Sequence, residues 1–179
     1  NERENPEVID YLNQENTYYN SMTAHTKDFQ KDLFEEMKGR IKEDDQSVPY
    51  LYNGYYYITR FEIGQDYPIY SRKKGSLSAN EEILFNCNDL AKGHSFFQLG
   101  GLSVSPDNKF AVYSTDFVGR RIYTLQIKNL ETGEILADKV ENVTGASVWA
   151  NDNNTIFYVR QDETTLRADK VFRHKLNTA

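Results

Sequence analysis

The stretch GLSVSPDNKFAVYS (101–114) is matched further on by SVWANDNNTIFYVR (147–160), and both read as strand, tight turn, strand. Asp107 corresponds to Asp152 and Tyr113 to Tyr158 at an offset of 45, and the following strands end in Leu130 and Leu176, an offset of 46. A weaker copy lies upstream, where Asn53-Gly54-Tyr55 corresponds to Asn108-Lys109-Phe110 at an offset of 55. The longer spacing is assigned to an insertion-like segment, SLSANEEILFN (76–86). Repeats of roughly 40–50 residues made of strands joined by tight turns signal β-propeller blades. A blade is a small twisted sheet that cannot bury its faces alone, so neighbouring blades stack and each needs the same aromatic filler.

The remaining strands expected are YYYITRFE (55–62), YPIYSRKK (67–74), EILFN (82–86), KFAVYSTDF (109–117), YTLQIKNLE (123–131), TIFYVRQD (155–162) and KVFRHKLN (170–177). They are rich in β-branched and aromatic residues and separated by NG, GQD, SPDN, ETGE and NDNN turns. No stretch between them is long and periodic enough for a crossover helix, so the sheet is antiparallel. About two and a half blades fit into 48–179, whereas closed propellers use roughly four to eight.

Residues 6–41 follow a different period. Val8, Leu12, Tyr19, Met22, Phe29, Leu33, Met37 and Ile41 fall at steps of three, four and seven, which trace one face of a helix. Asn5 is placed to cap it, Pro6 fits the first turn, Ser21-Met22-Thr23 can bend or split it, and Gly39 can end it. A helix this one-sided must dock on something. The fold expected is mainly β with an N-terminal helical segment: 1–47 helical, 48–179 an incomplete β-propeller.

Composition narrows the function. The longest apolar run is far short of the roughly 20 residues a membrane span requires. The net charge of −6 argues against nucleic acid, which needs a clustered basic face. RKK (72–74) and GRR (119–121) are the tight basic groups, and both read as solvated strand ends or loops. Cys87 is the single cysteine, so no internal disulfide or thiolate metal cluster forms, which favours a reducing, cytoplasmic compartment while leaving a periplasmic or exported destination open. NERENPEVID has no apolar signal core and no initial Met, so the chain is expected to be cut from something longer.

No catalytic, cofactor-binding or metal-binding residue is assigned. His25, His94 and His174 have no HExxH or paired-His setting and read as structural or solvated. A GxSxG elbow is absent, and Gly100-Gly101 reads as a strand bulge or a close backbone approach. KEDD (42–45) is the densest charge cluster, but adjacent aspartates in an extended segment point apart, so it reads as a solvated or ion-paired junction. NDNN (151–154) lacks the Gly and distal Glu of a calcium loop and reads as a hairpin turn. Asn142-Val143-Thr144 and Asn153-Asn154-Thr155 are formal glycosylation sequons, for which nothing else argues.

NPEVIDYLNQEN, LFEEMKGRIKEDDQSVPY, GQDYPIYSRKKG, GLSVSPDNKFAVYS, YTLQIKNLETGE and VWANDNNTIFYVR…KVFRHKL resemble, in order and nearly end to end, the N-terminal segment of the prolyl oligopeptidase family of serine peptidases, in its oligopeptidase B (protease II) branch. The SPD and ETG turns are generic to propellers, and GRIKEDDQSVPY running into YYYITRFEIGQDYPIY is far more specific. The resemblance implies a helical segment, then a seven-bladed propeller, then an α/β-hydrolase domain. It implies hydrolysis of short peptides after Lys or Arg, with the propeller admitting peptides and excluding folded proteins. The triad would lie beyond Ala179, so this stretch alone is expected to be inactive, to pack on the missing catalytic domain and to self-associate through open sheet edges. No cofactor, nucleic-acid or membrane partner is implied. The competing reading is a stand-alone propeller-like interaction module without catalysis, which would complete its ring by oligomerising.

Overall fold

The structure, a computed structural model, describes residues 3–162, 164–165 and 167–178. The chain divides into two compact units, Asn1–Glu43 and Asp44–Ala179. The first holds two helices, α1 (Pro6–Met22) and α2 (Lys27–Gly39), separated by a 3₁₀ turn at Ala24–Thr26. Asn5 Oδ1 accepts from the Glu7 amide and Pro6 occupies the first turn, so the free N–H groups of α1 are met as its sequence suggested. The break falls at Thr23, whose hydroxyl and amide both bond back to the Tyr19 carbonyl, 2.8 and 2.9 Å away. Such back-bonding by a hydroxyl slightly weakens and bends a helix, although Thr17 makes the same bond to Asn13 without interrupting α1. None of the residues in α1 or α2 is buried, and Phe29 is 67% exposed.

The second unit is built of antiparallel meanders. β1 (Tyr50–Tyr52), β2 (Tyr55–Arg60), β3 (Ile69–Lys74) and β4 (Glu81–Asn86) form one four-stranded sheet in sequence order. After a short helix α3 (Cys87–Ala91) come β5 (Gln98–Val104), β6 (Phe110–Asp116), β7 (Tyr123–Asn129), β8 (Ile135–Trp149), β9 (Thr155–Gln161) and β10 (Ala168–Lys175), hydrogen-bonded in that order as a six-stranded sheet. β8 serves two meanders: Ile135 to Val143 pair with β7, and Val143 to Trp149 pair with β9. Asn142 and Gly145 have φ of +59° and +90°, so the backbone turns where β8 changes partner. The second meander is therefore β5–β8 and the third begins in the C-terminal part of β8.

The repeat is visible as the same hydrogen bond made three times. The Gly75 amide donates to the Gly54 carbonyl at 2.9 Å, Leu130 to Lys109 at 2.8 Å, and Leu176 to Asn154 at 2.9 Å. Each bond ties the end of a meander's third strand to the turn between its first two. The repeated tyrosine has the role expected of it. Tyr113 is 1% exposed and packs among Leu84, Phe85 and Tyr57 of the first meander; Tyr158 packs among Leu125, Ile127 and Val143 of the second. Two cores result, one in each gap between meanders.

Two expectations are corrected. SLSANEEILFN is no insertion: it holds the turn and the ordinary fourth strand β4. The extra residues are 87–97, α3 and the loop after it, which occupy the crossover that β8 makes without leaving strand. Residues 135–146 also form strand, where the sequence pattern predicts none. Their apolar content is thin because much of this stretch faces outward, and Asp138, Val140, Val143 and Gly145 are the buried positions.

Candidate functional site

The surfaces that define this chain chemically lie where successive meanders meet. β1, β5 and the end of β8 are the first strands of their meanders, and β5 closely approaches β8. The Trp149 indole donates to the Ser103 carbonyl at 3.0 Å. A Cβ built on Gly101 would stand 2.0 Å from the Gly145 oxygen, and one on Gly100 would stand 2.7 Å from the Tyr123 ring. The β5–β6 register also shifts between Gly100 and Ser103. Gly100-Gly101 is thus both a bulge and a close backbone approach.

A cavity of about 340 Å³ opens between the first and second meanders, lined by Tyr50, Tyr52, Tyr57 and Tyr70 on one side and Leu102–Val104 on the other. Tyr50 stacks on Tyr57 with ring centroids 5.3 Å apart. Beside this cavity Arg72 is buried to 2% exposure, which corrects the solvated reading of RKK. Its guanidinium donates to both Glu82 oxygens at 2.8 and 2.9 Å, reaches the Asn108 carbonyl of the second meander at 3.1 Å, and lies 4.0 Å over the Tyr55 ring. Burial works against its charge, but the bonds and charge of Glu82, with Tyr57 close by, outweigh it and raise the pKa. Lys128 crosses the gap in the other direction, donating to the Leu84 carbonyl at 2.8 Å over the Phe85 ring. Burial lowers its pKa, opposed by the charge of Glu82. Two cations therefore bridge the first gap; Arg72 stands out in the sequence only as part of a basic run and Lys128 as one polar residue in an ordinary strand, so the burial of neither is locally encoded.

The three histidines are not brought together. His25 is exposed in the 3₁₀ turn. His94 packs at a tilt against Phe117 with centroids 4.0 Å apart, and Phe97 lies on the same ring. His174 Nε2 lies 2.6 Å from Asp138 Oδ1, and that same oxygen accepts from the Asn177 amide. This couples β10 to β8, so His174 holds the third meander to the second. Among the described residues no group of three or more His, Cys, Asp or Glu side chains is gathered as a metal ion would require, and no helix is long and apolar enough to cross a membrane.

The other candidates also take structural places. In KEDD, Glu43 pairs with Lys38 at 3.4 Å, and the Asp45 carbonyl accepts from the Phe61 amide. NDNN is a hairpin turn closed by Ala150 donating to Thr155; Asp152 accepts from the Thr155 hydroxyl and from the Asn154 and Thr155 amides, which lowers its pKa. Asn153 of the second sequon is engaged, its Oδ1 accepting from the Asp107 amide at 2.8 Å. GRR sits in the exposed β6–β7 loop, braced by buried Asp116, which accepts from the amides of Val118, Gly119 and Arg121. Cys87 is buried, and desolvation pushes its thiol up to about 12.

Comparison with known proteins agrees with this arrangement. The family model described as the prolyl oligopeptidase N-terminal beta-propeller domain matches residues 1–179. A relative from Pseudoxanthomonas mexicana named dipeptidyl aminopeptidase BI is 39% identical over 98% of this chain and 26% of its own length. One from Moraxella lacunata named Protease 2 is 31% identical over 99% of this chain and 26% of its own length. The solved structure of oligopeptidase B from Leishmania major superposes with a TM-score of 0.89 at 34% identity, covering 99% of this chain and 25% of that one. The chain thus spans about a quarter of the length of the relatives it matches.

Proposed function

Because the chain belongs to the prolyl oligopeptidase family, we propose that it is the helical segment (1–47) and first blades (48–179) of a serine-type peptidase that hydrolyses short peptides. Its own part is to shield the active site, to admit peptides by size and extendedness, and to pack on a catalytic α/β-hydrolase domain. The observation that carries this reading is the match of 1–179 to the family's N-terminal propeller domain. It is supported by helices with no buried residue, whose apolar side chains at Leu12, Met22, Phe29 and Leu33 are left for a partner surface. A narrow passage selects substrates before chemistry begins, and water exclusion then strengthens the electrostatics of the triad.

Cleavage after Lys or Arg is the favoured specificity, in keeping with the oligopeptidase B likeness. A second reading, release of N-terminal dipeptides, is favoured by the name of the 39% identical relative. The full-length protein should be assayed on an N-blocked arginyl fluorogenic amide and on a dipeptidyl amide with a free amino terminus. Serine-inhibitor-sensitive turnover of the first supports the Lys/Arg reading, and turnover of the second alone supports dipeptide release. No turnover of either overturns the peptidase reading. Residues 1–179 by themselves should be inactive and should self-associate through their open sheet edges; turnover by this stretch, or light scattering from a clean monomer at high concentration, counts against those two points. A cytoplasmic setting for the parent enzyme completes the proposal.

A further inference from the structure

The turn between β1 and β2 consists of Asn53 and Gly54 alone, with φ of +46° and +82°, as a two-residue hairpin of this twist demands. Both residues are exposed. The Gly54 carbonyl accepts from Gly75, and the Asn53 carbonyl accepts from Asn108 Nδ2 at 3.3 Å. The Asn53 carboxamide donates from Nδ2 to the Pro106 carbonyl of the next meander at 2.6 Å. Asn53 thus clasps the first meander to the second with both its side chain and its carbonyl.

We propose that Asn53 is a site of spontaneous deamidation, and that its conversion loosens this clasp. Gly54 has no Cβ to hinder approach, so its backbone nitrogen, after losing its proton, can attack Cγ of Asn53. The new N–Cγ bond closes a five-membered succinimide; the Cγ–Nδ2 bond breaks and ammonia leaves. Water then opens the ring at either carbonyl, giving aspartate or isoaspartate. The aspartate product has lost the Nδ2 donor and sets a carboxylate against the Pro106 carbonyl. The isoaspartate product also lengthens the backbone of a two-residue turn. Asn108 and Asn153 hold the same left-handed conformation at the equivalent turns, but are followed by Lys109 and Asn154, whose side chains obstruct the attack.

The test is to age the purified protein at neutral and mildly alkaline pH and to map tryptic peptides by mass, with isoaspartyl methyltransferase labelling. The peptide 43–60 should gain the mass of an NH₂-to-OH exchange several-fold faster than the peptides carrying Asn108 or Asn153, and faster at the higher pH. Conversion at Asn53 no faster than at those two positions overturns the site. Asn53→Gly keeps the turn and should abolish the change. Asn53→Asp, which the same backbone tolerates, should show faster amide exchange over 105–110 than the unmodified protein; unchanged exchange there overturns the loosening.

Discussion

Gly101 and Gly145 meet backbone to backbone: a Cβ on Gly101 would lie 2.0 Å from the Gly145 oxygen. This contact joins the first strands of the second and third meanders, and it sets how closely they stack. Gly101→Ala cannot be accommodated by a rotamer change, because the obstructing atom is main chain. The substitution should destabilise the second unit by about 2–4 kcal/mol, read as a fall in the urea midpoint. A wild-type midpoint would mean that β5 and β8 do not approach so closely.

Arg72 is the buried cation between the first two meanders, held by Glu82 and the Asn108 carbonyl. Removing it leaves Glu82 without its bidentate partner and the Asn108 carbonyl without a donor. Arg72→Ala should cost about 2–3 kcal/mol, toward the low side for a buried pair because Glu82 is 38% exposed. Arg72→Lys should recover only part of this, since an ammonium cannot make the two parallel bonds. Equal stability of Arg72→Ala and the wild type in chemical denaturation would show that the clamp contributes nothing.

Adjacent residues of β9 face opposite ways. Tyr158 is 7% exposed and packed against the second meander, while Phe157 is 43% exposed. Tyr158→Ala should lose about 3–4 kcal/mol through lost burial and the cavity left behind. Phe157→Ala should change stability by no more than about 1 kcal/mol. Similar losses at both positions would place Phe157 in a packed interface.

Cys87 links stability to pH. Its folded pKa of about 12 lies above the ordinary thiol value of 9.0 because ionisation would bury a charge. Between those two values the unfolded chain releases the proton and the folded chain keeps it, so stability falls as pH rises. Burial raises Tyr113 in the same sense. The melting temperature should therefore decline above about pH 9, and Cys87→Ala should flatten the decline. A thiol reagent should react at pH 8 in urea and hardly at all with the folded protein. Rapid labelling of the native state would contradict the burial.

How much was legible in the sequence divides along one line. The helices, the hairpin turns and the repeat were legible, because each rests on neighbours in the chain. Asn5 and Pro6 start α1 locally, Asn53-Gly54 dictates its own turn, and the β-branched and aromatic run in TIFYVR after the NDNN turn marks a strand. The recurrence of Tyr113 as Tyr158 even indicated what fills the gaps between meanders. The long β8, the place of the extra residues at 87–97 and the burial of Arg72 were not legible. Nor was the His174–Asp138 pair, which joins residues 36 apart in the chain. A polar strand facing outward has no apolar period to betray it, and an arginine looks the same in sequence whether water or Glu82 receives it. Local chain chemistry fixed the elements of this protein, while the stacking of one meander on the next decided which polar groups lost their water. That second decision depends on contacts between residues some 36–55 positions apart, whose free energy exists only once the sheets have met.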